Sequence, residues 1–355
     1  MMLKRTLTRI LAVLSAAGAL AVGCAPKLLS IRAEAPAQVL APPGAPPVID
    51  ARPRFREIVA ALAVERPWGA DSRHDPAALL WRLTDEAEPS LGLSPLPTHA
   101  PRLHVLIVPG AFAECFPEFG MPFEKAAAVF AERGIRIDFI PVAGRSGCTH
   151  NAAQIAAYLA ALPSEPEERT LLIGHSKGAV DILQFLVDHP GPAQRVGAVI
   201  SVAGAINGSP LADAMVRGPG GIMTRLPLRR CPPGDRKVLK CLTRSFRLTW
   251  QAENRLPAHV RYFSLGAFVR REDIHPLMLF GRDLLAGVEP RNDGYLAFSD
   301  QIIPGSHLLG WANLDHWDIA LPIRERLNIG GAGSRAAARE LLFEAMLLIV
   351  AESID

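Results

Sequence analysis

The chain has 355 residues, of which 49% are hydrophobic and 21% are charged. This length and composition fit one large α/β domain with additional segments, and they exclude a disordered protein. The formal net charge is +3, but Lys4, Arg5 and Arg9 lie in an N-terminal segment that we expect to be removed. The remaining 35 basic and 35 acidic residues balance, and no long basic run occurs. The sequence therefore predicts no nucleic-acid partner.

The N-terminus is typical of an export signal. After the basic residues, residues 10–22 form an apolar run that is short for a membrane span. The run ends in Ala-Val-Gly-Cys, which resembles the lipobox at which bacterial lipoproteins are cut before a cysteine that carries diacylglycerol. On this interpretation residues 1–23 are removed, Cys24 is lipidated, and the exported protein faces the periplasm or the cell exterior. A plain secretory signal and an uncleaved anchor remain alternatives.

Composition divides the rest of the chain into three parts. Six prolines between residues 25 and 48 predict a semi-rigid tether over residues 24–50, so the protein would stay near its membrane. The residue after the cysteine is Ala25 rather than Asp, which favours the outer membrane. Residues 51–98 carry apolar side chains at helical spacing and are predicted to form an N-terminal helical layer. Residues 99–355 form the main domain.

Two short helices are predicted in the N-terminal layer, one around residues 55–62 and one that is started by Asp75-Pro76 and contains the leucines of residues 79–83. Within the main domain, residues 214–258 show no obvious strand–helix unit. This segment contains Gly and Pro clusters and several arginines. We therefore predict a lid-like insertion over the carboxyl end of the sheet.

From residue 103 onwards, short apolar runs alternate with helical patterns. The predicted strands cover residues 103–108, 135–140, 171–173, 196–202, 260–265 and, with a less regular pattern, 307–310. The predicted helices cover residues 123–133, 151–162, 177–188 and 335–351. Continuous apolar strands that alternate with helices indicate an α/β fold, in which a mostly parallel sheet carries helices on both faces.

One pentapeptide, residues 174–178, reads Gly-His-Ser-Lys-Gly and follows a predicted strand directly before an apolar helix. Gly-x-Ser-x-Gly at such a junction is typical of a strained turn that lifts a serine hydroxyl out of a sheet. Ser176 is therefore the predicted nucleophile. We expect His175 to pack beside it. The Lys177 side chain either reaches solvent or pairs with an acid, and the alternative is a charge acting beside the serine.

A serine nucleophile needs a base and an acid that orients the base, and in this arrangement they follow in the order Ser, Asp, His. Asp293 lies in an Asn-Asp-Gly turn and is the predicted acid. His316 lies in a His-Trp-Asp motif and is the predicted base. The competing candidates are His307 for the base and Asp283 and Asp300 for the acid.

These motifs together resemble the bacterial triacylglycerol lipases and esterases of the α/β-hydrolase superfamily. That family carries Asn-Asp-Gly and hydrophobic residues at its acid, matched by residues 292–296, and His-x-Asp at its base, matched by residues 316–318. Its Gly-Ser-x-x-Ala-Asp motif is matched by residues 208–213. The resemblance spans residues 103–320. It implies an α/β-hydrolase fold, cleavage of carboxylic esters through a Ser-His-Asp triad, and a small-molecule ester or lipid substrate.

The resemblance also implies an oxyanion hole of backbone N–H groups. One belongs to Lys177, and the other to Ala111, with Phe112 as second choice, on a loop that begins Pro-Gly where the family has His-Gly. Of the family's calcium-binding aspartate pair, Asp318 matches one member, whereas Glu272 and Asp273 lie only roughly where the other should be. The triad chemistry needs no metal and no organic cofactor.

Besides Cys24 the chain has four cysteines, and none of their spacings matches a zinc site. In an oxidising compartment they allow two disulfides in three pairings. We predict Cys115–Cys148, at neighbouring strand ends, and Cys231–Cys241, within the insertion. Four free buried thiols are the alternative.

Three functions are compatible with these motifs. The prediction is a serine carboxylic-ester hydrolase that forms an acyl-enzyme intermediate. An acyltransferase or thioesterase would use the same triad with a different acceptor or leaving group. A non-catalytic lipoprotein that binds lipid or cell-wall material on a hydrolase scaffold is the third, and the presence of all three triad candidates argues against it.

Overall fold

The computed structural model describes residues 36–65, 78–87, 103–163, 168–218 and 231–354. A seven-stranded sheet, in which all paired strands are parallel, forms its centre. The strands are β1 (Ile49–Asp50), β2 (Leu103–Val108), β3 (Arg136–Phe139), β4 (Arg169–His175), β5 (Val196–Val202), β6 (Arg261–Ala267) and β7 (His307–Ala312). Their order across the sheet is β1-β7-β6-β5-β4-β2-β3. Five of the six predicted strands start within one residue of their observed position, and the fold prediction is confirmed.

Helices cover both faces of this sheet. They are α1 (Arg52–Glu65), α2 (Glu124–Glu132), α3 (Cys148–Ala161), α4 (Lys177–Asp188), α5 (Pro190–Ala193), α6 (Pro210–Arg217), α7 (Val238–Cys241), α8 (Arg244–Glu253), α9 (Leu279–Ala286), α10 (Ile323–Leu327) and α11 (Ala332–Ile354). Alternate residues of β2 enter different cores: Val105 packs with α1, α2 and α11, whereas Leu106 packs with α3 and α4. A strand buried on both faces explains why the sequence pattern is continuously apolar.

The predicted tether is wrong in its second half, because residues 36–50 lie against the folded domain. Ile49 and Asp50 form β1 and pair with β7. Further towards the N-terminus, the Leu40 N–H donates to the Ser299 carbonyl at 3.2 Å. A two-residue strand is too short for a sequence pattern, so only pairing with β7 defines it. Residues 24–35, which include Cys24, lie outside the described residues, as does the predicted export signal.

The predicted second helix of the N-terminal layer is also wrong. Leu80 forms an antiparallel bridge with Ala312, and the Trp81 N–H donates to the Trp311 carbonyl at 2.9 Å. The three leucines that suggested a helix, Leu79, Leu80 and Leu83, are instead buried beside the carboxyl end of β7. Apolar spacing over five residues does not distinguish these two structures.

The insertion contains two helices that the sequence pattern did not indicate. They are α7 and α8, and Thr243 caps the N-terminus of α8 with its hydroxyl, which accepts the Phe246 N–H. The helical pattern of α8 is hard to recognise in the sequence because its buried face includes Arg247. Arginine usually indicates a solvent-exposed face. Among the described helices, none is long and apolar enough to cross a membrane.

Both predicted disulfide pairings are wrong, although all four cysteines are bonded. Cys115 pairs with Cys231 and Cys148 pairs with Cys241, with Cα atoms 4.3 and 5.8 Å apart. The insertion lies across the carboxyl end of β2 and β3, where the Asp235 carboxylate accepts the Gly147 N–H at 2.8 Å. Each cysteine on that edge therefore meets a cysteine of the insertion, and the described part of the predicted lid is cross-linked to its neighbours.

We expect non-reducing peptide mapping of the purified protein to recover the two cross-links 115–231 and 148–241. Each encloses a long stretch of chain, with separations of 116 and 93 residues. Replacing both members of either pair with alanine should lower the free energy of unfolding in urea by about 2–4 kcal/mol, because the unfolded chain regains entropy. A peptide that joins Cys115 to Cys148, or four free thiols, would contradict this pairing.

Candidate active site

Ser176 lies on a strained turn between β4 and α4. Its φ is 57° and its ψ is −122°, a conformation that residues other than glycine rarely adopt. Two glycines permit the turn: a Cβ on Gly174 would lie 2.5 Å from the Ala179 backbone, and one on Gly178 would lie 2.2 Å from the Val108 carbonyl oxygen. The motif therefore brings helix, strand and serine into close contact and holds the hydroxyl at the carboxyl edge of the sheet.

His316 connects the other two predicted residues. Its Nε2 is 2.8 Å from the Ser176 hydroxyl oxygen, and its Nδ1 is 2.7 Å from Oδ2 of Asp293. Because an ionised carboxylate only accepts hydrogen bonds, Nδ1 carries the proton and Nε2 is left to accept from the serine. The structure thus brings the three residues together in an arrangement suited to proton transfer from Ser176.

The turn that carries Asp293 also holds its carboxylate. Oδ1 accepts the backbone N–H groups of Tyr295 and Leu296 at 2.9 and 2.7 Å, which leaves Oδ2 for the imidazole. Gly294 makes the turn possible with a φ of 101°. The His316 N–H donates to the Asp293 carbonyl at 2.9 Å, so backbone and side chain both fix the acid against the base.

The competing candidates lie elsewhere. His307 is the first residue of β7, at the opposite edge of the sheet, where its ring stacks on Phe263. The Asp283 carboxylate forms an exposed ion pair with Arg271, and Asp300 pairs with Arg244. Among the described residues, none of these three groups contacts Ser176 or His316.

Two backbone N–H groups beside the serine are available for an oxyanion. Lys177 is the first residue of α4, so its N–H has no acceptor within the helix. Within the described ranges, the Ala111 N–H has no hydrogen-bond partner. The Phe112 N–H, by contrast, donates to the Gly144 carbonyl at 3.0 Å, which makes the prediction for Phe112 wrong.

His175 supports the base rather than the serine. Its Nε2 lies 2.8 Å from the His316 carbonyl oxygen, and the two rings are 5.0 Å apart. Burial, reinforced by the neighbouring His316, lowers the pKa of His175 to about 3. His175 is therefore neutral near pH 7, where its Nε2–H donates to the carbonyl of His316.

The Lys177 side chain pairs with an acid and does not reach solvent. Its ammonium lies 2.6 and 2.7 Å from the two carboxylate oxygens of Asp181, one helical turn further along α4, and both side chains are buried. The Asn151 amide donates to the same carboxylate at 2.7 Å. Burial lowers the pKa of Lys177, and the Asp181 carboxylate opposes that shift. The hydrogen bond between Asn151 and Asp181 joins α3 to α4.

The Gly-Ser-x-x-Ala-Asp motif connects α6 to the acid turn. The Ser209 hydroxyl accepts the Leu211 N–H at 3.1 Å and donates to the Tyr295 carbonyl. Tyr295 in turn places its ring edge-on against His316, with the centroids 5.1 Å apart. Tyr295 was not among the predicted site residues, because only the fold shows that it contacts the base.

Asp315 and Asp318, on the loop of His316, surround an arginine. Nε of Arg324 lies 2.6 Å from Oδ2 of Asp318, and its Nη2 lies 3.4 Å from Oδ2 of Asp315. Arg324 also donates to the backbone carbonyl of Asp273, and the Glu272 side chain is exposed. Burial, and after it the charge of Asp315, raises the pKa of Asp318 to about 7.

These residues do not fit the calcium site that the family resemblance implies. Although Oδ1 of Asp318 is buried and lacks a hydrogen-bond partner among the described residues, the guanidinium of Arg324 and, at 3.6 Å, that of Arg335 contact the same carboxylate. Both carboxylate oxygens of Asp315 already accept backbone N–H groups. Arg324 thus supplies the positive charge, and a second cation would be repelled. No spacing in the sequence indicates that this arginine pairs with the two aspartates.

Replacement of Arg324 with methionine should remove this charge from two buried carboxylates. We expect a loss of about 3–5 kcal/mol in the free energy of unfolding, because one partner of a buried ion pair is left uncompensated. The loss should be larger at pH 8 than at pH 5, since Asp318 has a raised pKa and a protonated carboxyl needs no partner. Urea unfolding at both pH values measures it.

The matched control is Arg326→Met on the same helix, whose half-exposed ion pair with Glu124 should contribute at most about 1 kcal/mol. Recovery of the Arg324→Met variant by added calcium, or equal losses in both variants, would contradict the assignment of Arg324 as the charge partner.

Comparison with known proteins supports the fold and identifies the family. The structure of a metagenomic carboxyl esterase, MGS0156, superposes with a TM-score of 0.79 at 37% identity, covering 90% of this chain and 97% of that chain. The mature form of Bacillus licheniformis lipase BlEst2 superposes with a TM-score of 0.50 at 21% identity, covering 63% of this chain and 89% of that chain. At this identity the likeness supports the fold alone. No family model and no curated protein matches the chain. From the identity and coverage of the first of these structures, the chain belongs to the carboxyl esterases that have the α/β-hydrolase fold.

Proposed function

We propose that this protein hydrolyses carboxylic esters with Ser176 as nucleophile, His316 as general base and Asp293 as the orienting acid. The observation that carries the proposal is the continuous hydrogen-bond chain from the serine hydroxyl through the imidazole to the carboxylate, with links of 2.8 and 2.7 Å. The relative named a carboxyl esterase supports the same reaction class.

The geometry accounts for each step of acyl transfer. His316 Nε2 takes the proton as the Ser176 oxygen attacks the ester carbonyl, and Asp293 stabilises the imidazolium that forms. The oxyanion would be bound by the N–H groups of Ala111 and Lys177. The imidazolium then protonates the leaving alcohol. Finally His316 removes a proton from water, which attacks the acyl-enzyme and releases the acid.

We also propose that Cys24 carries a lipid and that the protein is exported and held at a membrane. The proposal rests on the apolar segment that ends in Ala-Val-Gly-Cys and on the prolines that follow it. Because Leu40 and the strand Ile49–Asp50 are bonded to the folded domain, the anchoring segment would lie before them in the chain.

Ser176→Ala and His316→Ala should each reduce hydrolysis of p-nitrophenyl esters by about three or more orders of magnitude, because members of a triad act as a unit. Fluorophosphonate should label the wild-type enzyme at Ser176 and leave Ser176→Ala unlabelled. The matched control is His307→Ala, which removes a histidine from the opposite edge of the sheet and should retain the activity.

Three results would count against this assignment. Loss of activity in His307→Ala with near-normal activity in His316→Ala would reject His316 as the base. Absence of fluorophosphonate labelling in the folded wild type would favour the non-catalytic scaffold. Release of the acyl group to an added alcohol or amine, with little hydrolysis, would favour an acyltransferase.

Replacement of Cys24 with serine tests the anchor. The variant should lose metabolic labelling by fatty acids and should be found in the soluble fraction, because the thiol that would carry the lipid is absent. Fractionation and acyl labelling of the same cultures provide both measurements. Wild-type protein that is membrane-bound but carries no lipid at Cys24 would contradict the proposal.

A further inference from the structure

One face of α9 exposes a strip of large apolar side chains. Leu277, just before the helix, is 45% exposed, Phe280 is 63% exposed, Leu284 is 45% exposed and Val288, just after it, is 62% exposed. Phe280 and Leu284 are four residues apart within the helix and therefore lie on one side of it, and Leu277 and Val288 flank its two ends. A group of large exposed apolar side chains on one element is a candidate contact with a protein or a lipid phase.

The strip lies beside the candidate active site. On its inner side α9 packs against the acid turn so closely that a Cβ on Gly281 would lie 2.5 Å from the Gly294 carbonyl oxygen. The Asn292 amide, adjacent to Asp293, donates to the Glu289 carbonyl just past the helix. A surface that engages the outer side of α9 would therefore meet the protein at the edge that carries Ser176.

The N-terminal segment leaves the folded domain next to the same helix. The Arg291 guanidinium lies 3.5 Å from the Gln38 side-chain oxygen, and the Arg291 N–H is bonded to Glu289 at the end of α9. Twelve residues separate Cys24 from residue 36, a stretch that can extend at most about 40 Å. A lipid at Cys24 would hold this end of α9 close to the bilayer.

The arginine near the strip is already paired, so the strip is better suited to an apolar phase than to an anionic ligand. Arg271, which flanks the strip, is already paired with Asp283 at 2.6 and 2.8 Å. The strip itself contributes only four apolar side chains, whereas a stable dimer buries about 20–30 residues on each side. A short amphipathic helix with an apolar outer face is suited to the acyl boundary of a bilayer.

We propose that the α9 strip, formed by Leu277, Phe280, Leu284 and Val288, inserts into the lipid bilayer to which the N-terminus is tethered. This contact would turn the carboxyl edge of the sheet, with Ser176, towards the membrane surface. The proposal rests on the proposed lipid anchor for its orientation. Penetration of the strip into the bilayer is measured without any ester turnover. A negative result for the strip is therefore distinguishable from a failure of the proposed hydrolase function.

The test places a fluorophore in the strip of the full chain. Phe280→Trp, in a Ser176→Ala background that prevents hydrolysis of the vesicle lipid, is reconstituted with phosphatidylcholine vesicles and recovered with them by flotation. Phosphatidylcholine brominated on its acyl chains should quench the added tryptophan by about twofold. The quenching should not change with salt concentration, because insertion of apolar side chains is not screened.

Val64→Trp is the matched control, because Val64 is 88% exposed on α1. Its added tryptophan should remain unquenched on the same vesicles. Equal quenching of both tryptophans, or no quenching at position 280 in protein recovered with vesicles, would overturn the proposal. A blue shift of the Phe280→Trp emission that grows with protein concentration without vesicles would assign the strip to a second copy and also overturn it.

A second readout uses the active enzyme. In Phe280→Ser/Leu284→Ser, the rate on an ester held in vesicles, divided by the rate on a soluble short-chain ester, should fall about tenfold, because the strip no longer partitions into lipid. Val64→Ser should leave the ratio at its wild-type value. An unchanged ratio in the double variant would overturn the proposal. If the wild-type enzyme does not hydrolyse the soluble ester at all, the hydrolase function is rejected instead.

Discussion

The strained backbone of Ser176 is the constraint on which the rest of the site depends. A positive φ at a non-glycine residue is unfavourable unless its neighbours hold it, and here α4 is pressed against β4 and β2 through Gly174 and Gly178. The Ser176 N–H also donates to the Val202 carbonyl of β5 at 3.1 Å. The neighbouring strands hold the backbone of this turn, which places the serine hydroxyl at the carboxyl edge of the sheet. The loops that carry the other site residues meet it there.

Those loops meet because the strands are parallel. β2, β4, β5 and β7 all end at the same edge, so the segments that follow them lie side by side although they are distant in the chain. Backbone hydrogen bonds align the acid turn with the base, and Arg324 pairs with the two aspartates, Asp315 and Asp318, on either side of His316 in its loop. An internal guanidinium fulfils the electrostatic role that a bound cation would otherwise fulfil, without dependence on ion concentration.

The same edge also carries the cross-links and the exposed apolar strip. Cys115 follows the loop of Ala111, and its disulfide to Cys231 holds the described part of the insertion beside that loop. On the other side of the site, α9 presents its strip next to the point where the N-terminal segment leaves the domain. The candidate active site, the strip proposed to enter the membrane and the proposed tether thus lie at one edge of the sheet. This arrangement would suit an enzyme that takes its substrate from a lipid phase.

Features that are encoded over a few neighbouring residues could be predicted from the sequence. Continuous apolar runs predicted six of the seven strands, because a strand covered on both faces needs no polar alternation. The glycines around Ser176 and the turn at Asp293 identified both residues, since local backbone conformation restricts which residues fit. The disulfide pairing, the two-residue β1, the partner of Asp318 and the contact of Tyr295 with His316 became apparent only in the folded chain. Each of these depends on which distant segments become neighbours, and local spacing carries no information about that.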